Sequence, residues 1–380
     1  MTPPTEEGST TMEEWTDRRF SRQALLKYAG AGAVSFTVAD LAGAFRTPAH
    51  AALRWTQATT LNVLCWEGYT DKAFAAPFEK KTGIKINSTF IGSNDELIAK
   101  LRAAPGLYDL VTPSSDTTPL LIEAGAVQQI DTSKVPNWKT VQPYFKTAQN
   151  VYVGGKLYGV PMCWGFIPVI ADLKAVPKPP HTWGLLWDTK YKGKISVWQD
   201  ISTIWSTALY LGYKNLYTLN DAQLAAVKKK LLAQKPVLRK YWSTAGELTN
   251  LFMNNEVVVG NSFGGLTVTQ LTDNGRKVAE FIPKEGATAW VDNWMISKQS
   301  KNLDAAYQWL NWIHAPQTQV SIAKVTGYAV SNRNAVKMLP TRYAKTYHLD
   351  ESSFIPKLTF WKKVPRRQKY LDTLNAVVAG

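Results

Sequence analysis

Thr60-Leu61-Asn62-Val63-Leu64-Cys65-Trp66 opens the stretch that decides the fold. Largely apolar, with β-branched and aromatic members, it reads as a buried strand. Phe74 to Lys81 then takes helical spacing through Phe74, Pro77 and Phe78, and Gly83 follows as a C-terminal stop. Ile84-Lys85-Ile86-Asn87-Ser88-Thr89-Phe90 alternates like a second strand. Ser93 and Glu96 have the spacing of a capping box, which predicts a helix carrying Leu97, Ile98 and Leu101 on one face. Tyr108-Asp109-Leu110-Val111 predicts a third strand, running straight into Thr112-Pro113-Ser114-Ser115. Strand, helix, strand, helix and strand within about 55 residues make an α/β unit with a mainly parallel sheet.

After Tyr158-Gly159-Val160-Pro161 the pattern restarts. Thr182 caps a short helix over Trp183-Gly184-Leu185-Leu186-Trp187, Gly193 to Trp198 reads as a strand, and Ala222 to Leu232 as a helix. Glu256 to Gly260 and Val278 to Pro283 read as further strands. Asp304 to Ile313 is an amphipathic helix with Ala305, Trp309 and Trp312 on its apolar face. No repeat of the length that builds solenoids or propellers is present. At 380 residues, with 45% hydrophobic and 19% charged residues, the chain has material for two globular lobes.

Residues 1–51 read as an export leader. A basic stretch (Arg18, Arg19, Arg22, Lys27) precedes a weakly apolar run from Tyr28 to Phe45, and Ala49-His50-Ala51 fits the small-x-small cleavage rule. The run is broken by Asp40 and is too short for a stable span. Ser21-Arg22-Gln23-Ala24-Leu25-Leu26-Lys27 resembles the twin-arginine export signal, departing from it at Gln23 and Leu25, which leaves the export route open. Cleavage near Ala52 removes five basic and six acidic residues and so raises the net charge by one, from +15 to +16.

Several function classes lose support. Lysines and arginines are scattered, and the densest runs, Lys228-Lys229-Lys230 and Trp361 to Lys369, carry no glycine–aromatic motif of an RNA-binding sheet. No nucleic-acid partner is expected. Cys65 and Cys163 cannot build a four-thiolate zinc site and read as two small buried thiols, with a single disulfide left open. Beyond the leader only His181, His314 and His348 occur, none in a hydrolase, zinc or redox motif. His314 ends a helix, where a cation suits the dipole. Neither enzyme activity, nor a cofactor, nor a metal is expected.

Eight segments in order resemble the spermidine/putrescine-binding proteins of bacterial ABC importers. They are Asn62 to Tyr69; Lys80-Lys81-Thr82-Gly83-Ile84-Lys85; Tyr108 to Ser114; Tyr158-Gly159-Val160-Pro161 with Trp164-Gly165; Pro283-Lys284-Glu285-Gly286; Trp290-Val291-Asp292; Thr326-Gly327-Tyr328; and Asn332. The resemblance implies two α/β lobes joined by crossing strands, with the ligand in the cleft between them. Residues 57–162 plus 291–335 would form one lobe and 163–290 plus 336–380 the other, with hinges near Met162 and Val291. By the same resemblance Trp66, Glu67, Ser114, Asp200, Phe263, Trp290, Asp292 and Tyr328 fall on ligand positions. The expected protein is a periplasmic, monomeric solute-binding protein that delivers a small cationic amine to a membrane permease.

The residue types fit that chemistry. An amine offers ammonium charge and methylene surface, which carboxylates and aromatic faces match. Trp66 follows the first strand, at the carboxyl edge where open α/β sheets hold ligands. Trp290 and Asp292 are two apart, so an extended strand turns both to one side. Ser114 is also placed to cap a helix from Thr118 to Ala124. Departures from the family pattern leave the ligand's charge open: Thr203 replaces a second carboxylate, Asp116 replaces an aromatic and adds an acid, and a late glutamine falls near Trp361-Lys362. Putrescine, spermidine or a thiamine-like cation all remain, with a small organic anion or phosphonate as the alternative suggested by the basic net charge. That charge weighs little against a local carboxylate, because fields are screened beyond about 10 Å at moderate salt. Ferric capture wants paired tyrosines, which Tyr328 lacks.

Overall fold

The computed structural model describes residues 59–379 apart from 147, 149 and 342–357. The leader and its cleavage site lie outside the described residues.

Two sheets carry the chain. The larger contains β1 (Thr60–Trp66), β2 (Lys85–Ile91), β3 (Leu110–Val111), β6 (Val160–Phe166), β12 (Ala287–Ile296), β13 (Ala329–Val330) and β14 (Leu358–Phe360). The smaller contains β7 (Val169–Asp172), β8 (Ile195–Trp198), β9 (Leu238–Trp242), β10 (Val259–Asn261) and β11 (Val278–Phe281), and a separate hairpin pairs β4 (Tyr152–Val153) with β5 (Lys156–Leu157). The larger sheet runs β13-β6-β12-β3-β1-β2, with β14 beside β12, and the smaller runs β11-β7-β10-β8-β9.

The opening unit forms as its pattern predicts. β1 pairs in parallel with both β2 and β3. The helix Lys72–Thr82 buries Phe74 and Phe78 and ends on Gly83 at φ 74°, a left-handed cap that glycine adopts without a Cβ penalty. In the next helix, Asn94–Ala103, the Ser93 side chain accepts from the Glu96 N–H. The reciprocal half of the box differs: Glu96 accepts from the Gly92 N–H, one residue earlier than expected. β12 inserts antiparallel between β3 and β6, so the mainly parallel pattern holds for the opening unit and not for the whole sheet.

The strand expected at Glu256–Gly260 is shorter and later. The helix Ala245–Met253 ends with Asn255 at φ 56°, and the N–H groups of Glu256 and Val257 return to the Leu251 carbonyl. Those residues close the helix end, and β10 begins only at Val259.

The chain passes between the sheets through Ile167-Pro168, joining β6 to β7, and through residues 282–286, joining β11 to β12. Indoles fill much of the core, with Trp183, Trp198, Trp205, Trp242, Trp294 and Trp309 fully buried. The C-terminal helix Arg367–Ala379 is tied to the smaller-sheet side by Tyr370, whose hydroxyl donates to the Leu216 carbonyl and accepts from the Leu219 N–H.

Candidate functional site

β1 ends at Trp66, and the chain turns so that the Tyr69 N–H donates to the Trp66 carbonyl at 3.2 Å. This brings both rings into one narrow slot. β12 adds Trp290 and Asp292 from one side of the strand, the loop after β10 adds Phe263, and the residue after the left-handed cap Gly327 adds Tyr328. Trp198 at the end of β8 and Trp361 just after β14 complete the aromatic walls. The rings meet edge to face, with centroids 5.9 Å apart for Trp66 and Phe263 and 4.7 Å for Trp290 and Tyr328. Trp290 is fixed from the other sheet, because its Nε1–H donates to the Phe263 carbonyl at 3.1 Å.

Asp292 is the charged group at the heart of the slot and is only 4% exposed. Tyr69 donates its hydroxyl to Asp292 Oδ2. Oδ1 has no hydrogen-bond partner of normal geometry among the described residues. Burial pushes this carboxyl up to about 7; the Ser114 and Tyr69 hydroxyls oppose the shift, and nearby Asp116 adds to it. A buried carboxylate with a free lone pair favours a partner that brings a proton and a positive charge.

Seven residues singled out from the sequence line this slot together: Trp66, Glu67, Ser114, Phe263, Trp290, Asp292 and Tyr328. Glu67 is half-engaged elsewhere, accepting from the Gly246 N–H at 3.0 Å at the start of the helix Ala245–Met253. Ser114 does not cap the next helix through its hydroxyl, since its carbonyl takes the N–H groups of Thr117 and Thr118 instead. Asp116 and Asp200 do not line the slot. Asp116 is fully buried against Arg367, whose Nη1 approaches Oδ2 at 2.6 Å. Asp200 accepts from the Ser202 N–H at 2.8 Å, and burial pushes it to about 7.

Five lining residues were not singled out from the sequence: Ile91, Ala245, Tyr69, Trp198 and Trp361. Tyr69 lies in the same loop as Trp66, and Trp198 ends β8 as Trp66 ends β1, so the strand-end rule reaches both. Trp361 carries no local signal and is placed by the parallel pairing of β14 with β12.

The family model for bacterial extracellular solute-binding proteins matches residues 73–349. The chain belongs to this family. Among curated relatives, a spermidine/putrescine-binding periplasmic protein of Escherichia coli (strain K12) is 28% identical over 296 residues, covering 77% of this chain and 83% of that protein. The putrescine-binding periplasmic protein PotF of the same organism is 29% identical over 298 residues, covering 74% and 80%. Of solved structures, a putative spermidine/putrescine ABC transporter from Listeria monocytogenes superposes with a TM-score of 0.75 at 26% identity, covering 84% of this chain and 98% of the other. The MotA binding protein of A. tumefaciens, solved with glucopine, reaches 0.71 at 18% identity, covering 84% and 100%, and shares the fold alone. The solute-binding protein described here thus has the two-lobed α/β fold of periplasmic binding proteins.

Its remaining titratable groups are structural in setting. His314 is buried between the Leu310 and Pro161 carbonyls, and burial pushes it down to about 4. It is therefore uncharged at neutral pH and does not serve the helix dipole as expected from its position. Cys65 and Cys163 are buried and unpaired with each other, and the Cys163 thiol lies 3.1 Å from the Tyr69 hydroxyl.

Proposed function

We propose that this solute-binding protein captures a small amine cation in the periplasm, as a monomer, and delivers it to the permease of an ABC importer. The observation that carries the reading is buried Asp292 among the rings of Trp66, Trp290, Phe263 and Tyr328, its Oδ1 without a hydrogen bond of normal geometry among the described residues. An ammonium there gains a charge-assisted hydrogen bond, worth about 1.5–3 kcal/mol, and cation–π attraction of about 2 kcal/mol once desolvated. The periplasmic setting and the amine class follow the relatives' names, and the leader at residues 1–51 agrees with export. The slot offers binding groups rather than a nucleophile with a base, so the role is capture without catalysis.

The boundaries read from the sequence, residues 57–162 plus 291–335 and residues 163–290 plus 336–380 with hinges near Met162 and Val291, would cut β6 and β12 within the larger sheet, so we place the hinges instead at the passages between the sheets, Ile167-Pro168 and residues 282–286. Bonds across the cleft support closure over the slot: Glu67 to the Gly246 N–H, and Trp198 Nε1–H to the Gly92 carbonyl at 3.1 Å.

Titration calorimetry on the mature chain with putrescine, spermidine, monoamines and small organic anions tests the reading. Asp292→Asn keeps the shape and removes the charge, so it should weaken an amine about tenfold or more. An anion would bind as well or better. Tighter binding of the best ligand to Asp292→Asn would sink the amine reading.

A further inference from the structure

Arg367 begins the C-terminal helix, which is fastened to the smaller-sheet side at both ends. Tyr370 ties its first turn to Leu216 and Leu219, and near its last turn Lys235 Nζ donates to the Val377 and Val378 carbonyls at 3.1 and 2.9 Å. The Arg367 guanidinium crosses to two carboxylates of the larger-sheet side. Its Nε and Nη2 donate to the two oxygens of Asp95 at 2.8 and 2.9 Å, and its Nη1 donates to Asp116 Oδ2 at 2.6 Å. Asp95 lies in the first turn of the helix Asn94–Ala103, and Asp116 follows β3. None of the three lines the slot. The bridge is dry all the same: the Asp116 side chain is fully buried and that of Arg367 is 10% exposed. Such a pair stabilises little in itself, because desolvation offsets most of the attraction, but removing one partner leaves an uncompensated buried charge. When the two sides part, water can hydrate both groups; when they meet, each can be buried only with the other. The two-pronged fork on Asp95 also fixes one relative placement of the sides.

We propose that Arg367 is the latch of lobe closure: as the cleft shuts it enters the Asp95–Asp116 pair, so that the affinity for every ligand depends, by one common factor, on a residue the ligand never meets. The latch engages the loop that also walls the slot. Asn94 joins the two, its Nδ2 donating to Asp116 at 3.3 Å and its Oδ1 accepting from the Ser114 N–H at 3.0 Å. Arg367 is thus a positioning residue. It sets how firmly the cleft closes and leaves the choice of ligand to the slot itself. A ligand that binds only the closed form binds more weakly in proportion as that form is depopulated, whatever the ligand's chemistry. The inference rests on the lobe closure proposed above and not on the class of ligand.

Titration calorimetry and small-angle scattering on the full mature chain test this, with 1,4-diaminobutane, n-butylamine and succinate as probes. Arg367→Gln should weaken every probe that binds the unaltered chain by a common factor of about tenfold or more. At saturation the variant should keep a larger radius of gyration than the unaltered protein, while the two ligand-free radii agree. Adding Asp116→Asn to Arg367→Gln removes the uncompensated charge and should restore part of the affinity and of the compaction, which a merely distorted helix would not regain. Should Arg367→Gln fail to fold, Asp116→Asn alone breaks the bridge from the other side and should also weaken the probes in common. Unchanged affinity, or unequal losses among the probes that bind, overturns the latch and leaves solute capture standing. Binding of succinate alone overturns the amine reading, and a loss of its affinity with reduced compaction in Arg367→Gln still supports the latch. Binding of none of the three to the unaltered chain overturns both.

Discussion

Tyr69 and Asp292, 223 positions apart, share a buried hydrogen bond in which the phenol donates to the carboxylate. The bond joins the loop after β1 to β12 and holds one oxygen of Asp292, while the other has no hydrogen bond of normal geometry among the described residues. A hydrogen bond to a charged group contributes about 1.5–3 kcal/mol, here to the ionised form of the acid. Tyr69→Phe should therefore raise the Asp292 carboxyl further and weaken amine binding at neutral pH about tenfold. Calorimetry across a pH series would separate this from lost ring contact, because the midpoint should move up while the plateau at high pH changes little. An unmoved midpoint would show that the phenol does not tune the acid.

The pH dependence has a definite sign. Burial, opposed by Ser114 and Tyr69, holds Asp292 at about 7, so its ionised fraction rises from about a tenth at pH 6 to about nine tenths at pH 8. Amine affinity should rise about tenfold over that interval and then level off. Asp200 and Glu280 are also pushed to about 7 by burial, so Asp292→Asn is the control that should flatten the curve. Ligand-free stability should run the other way. The folded carboxyl keeps its proton up to about 7 whereas the ordinary value is 3.8. The folded state therefore binds more protons in that window, and stability falls as pH rises through it.

Close packing behind Trp290 gives a third prediction. A Cβ at Gly165 would lie 2.5 Å from the Trp290 ring, far inside contact distance, and Gly165 pairs directly with Trp290 across β6 and β12. Gly165→Ala should push the indole off its place and strain its bond to the Phe263 carbonyl. Fold and secondary structure should persist, with amine affinity lowered about tenfold. Unchanged affinity in a folded variant would show that the position of Trp290 does not set binding.

What was legible in the sequence follows the range of the interactions. Trp290 and Asp292 were readable as a pair because the two-residue period of a strand holds whatever sheet it joins. That β12 lies antiparallel between β3 and β6 was not, since those partners are remote in the chain. Asp116 shows the same limit. Its residue type and its place beside Ser114 pointed to the ligand, but its guanidinium partner is 251 positions away and carries no local signature. Trp361 enters the slot only because its N–H donates to the Ala289 carbonyl, a contact at 2.7 Å set by strand pairing. The strand expected at 256–260 starts late, at Val259, for a different reason. Its valines do pack in the core, but the backbone N–H groups at its start belong to a helix end.

Gly92 tests whether capture requires the lobes to close. It follows β2 of the larger sheet, and a Cβ placed there would lie 2.6 Å from the carbonyl oxygen of Ser243, just beyond β9 of the smaller sheet. The Gly92 carbonyl also accepts the Trp198 indole N–H, so this backbone approach forms part of the seam beside the slot. Gly92 is not at positive φ, and alanine is compatible with its backbone. The added methyl meets main chain rather than a flexible side chain, so relief requires the two edges to part. Under the proposed lobe closure the ligand-free protein opens at this seam, so Gly92→Ala should leave its thermal stability nearly unchanged. Amine affinity should fall about tenfold, since water then reaches Asp292 and weakens its attraction for the cation. Small-angle scattering with saturating amine should show a larger radius of gyration than the unaltered protein gives. Equal affinity and equal compaction in Gly92→Ala would refute closure at this seam as a condition of binding.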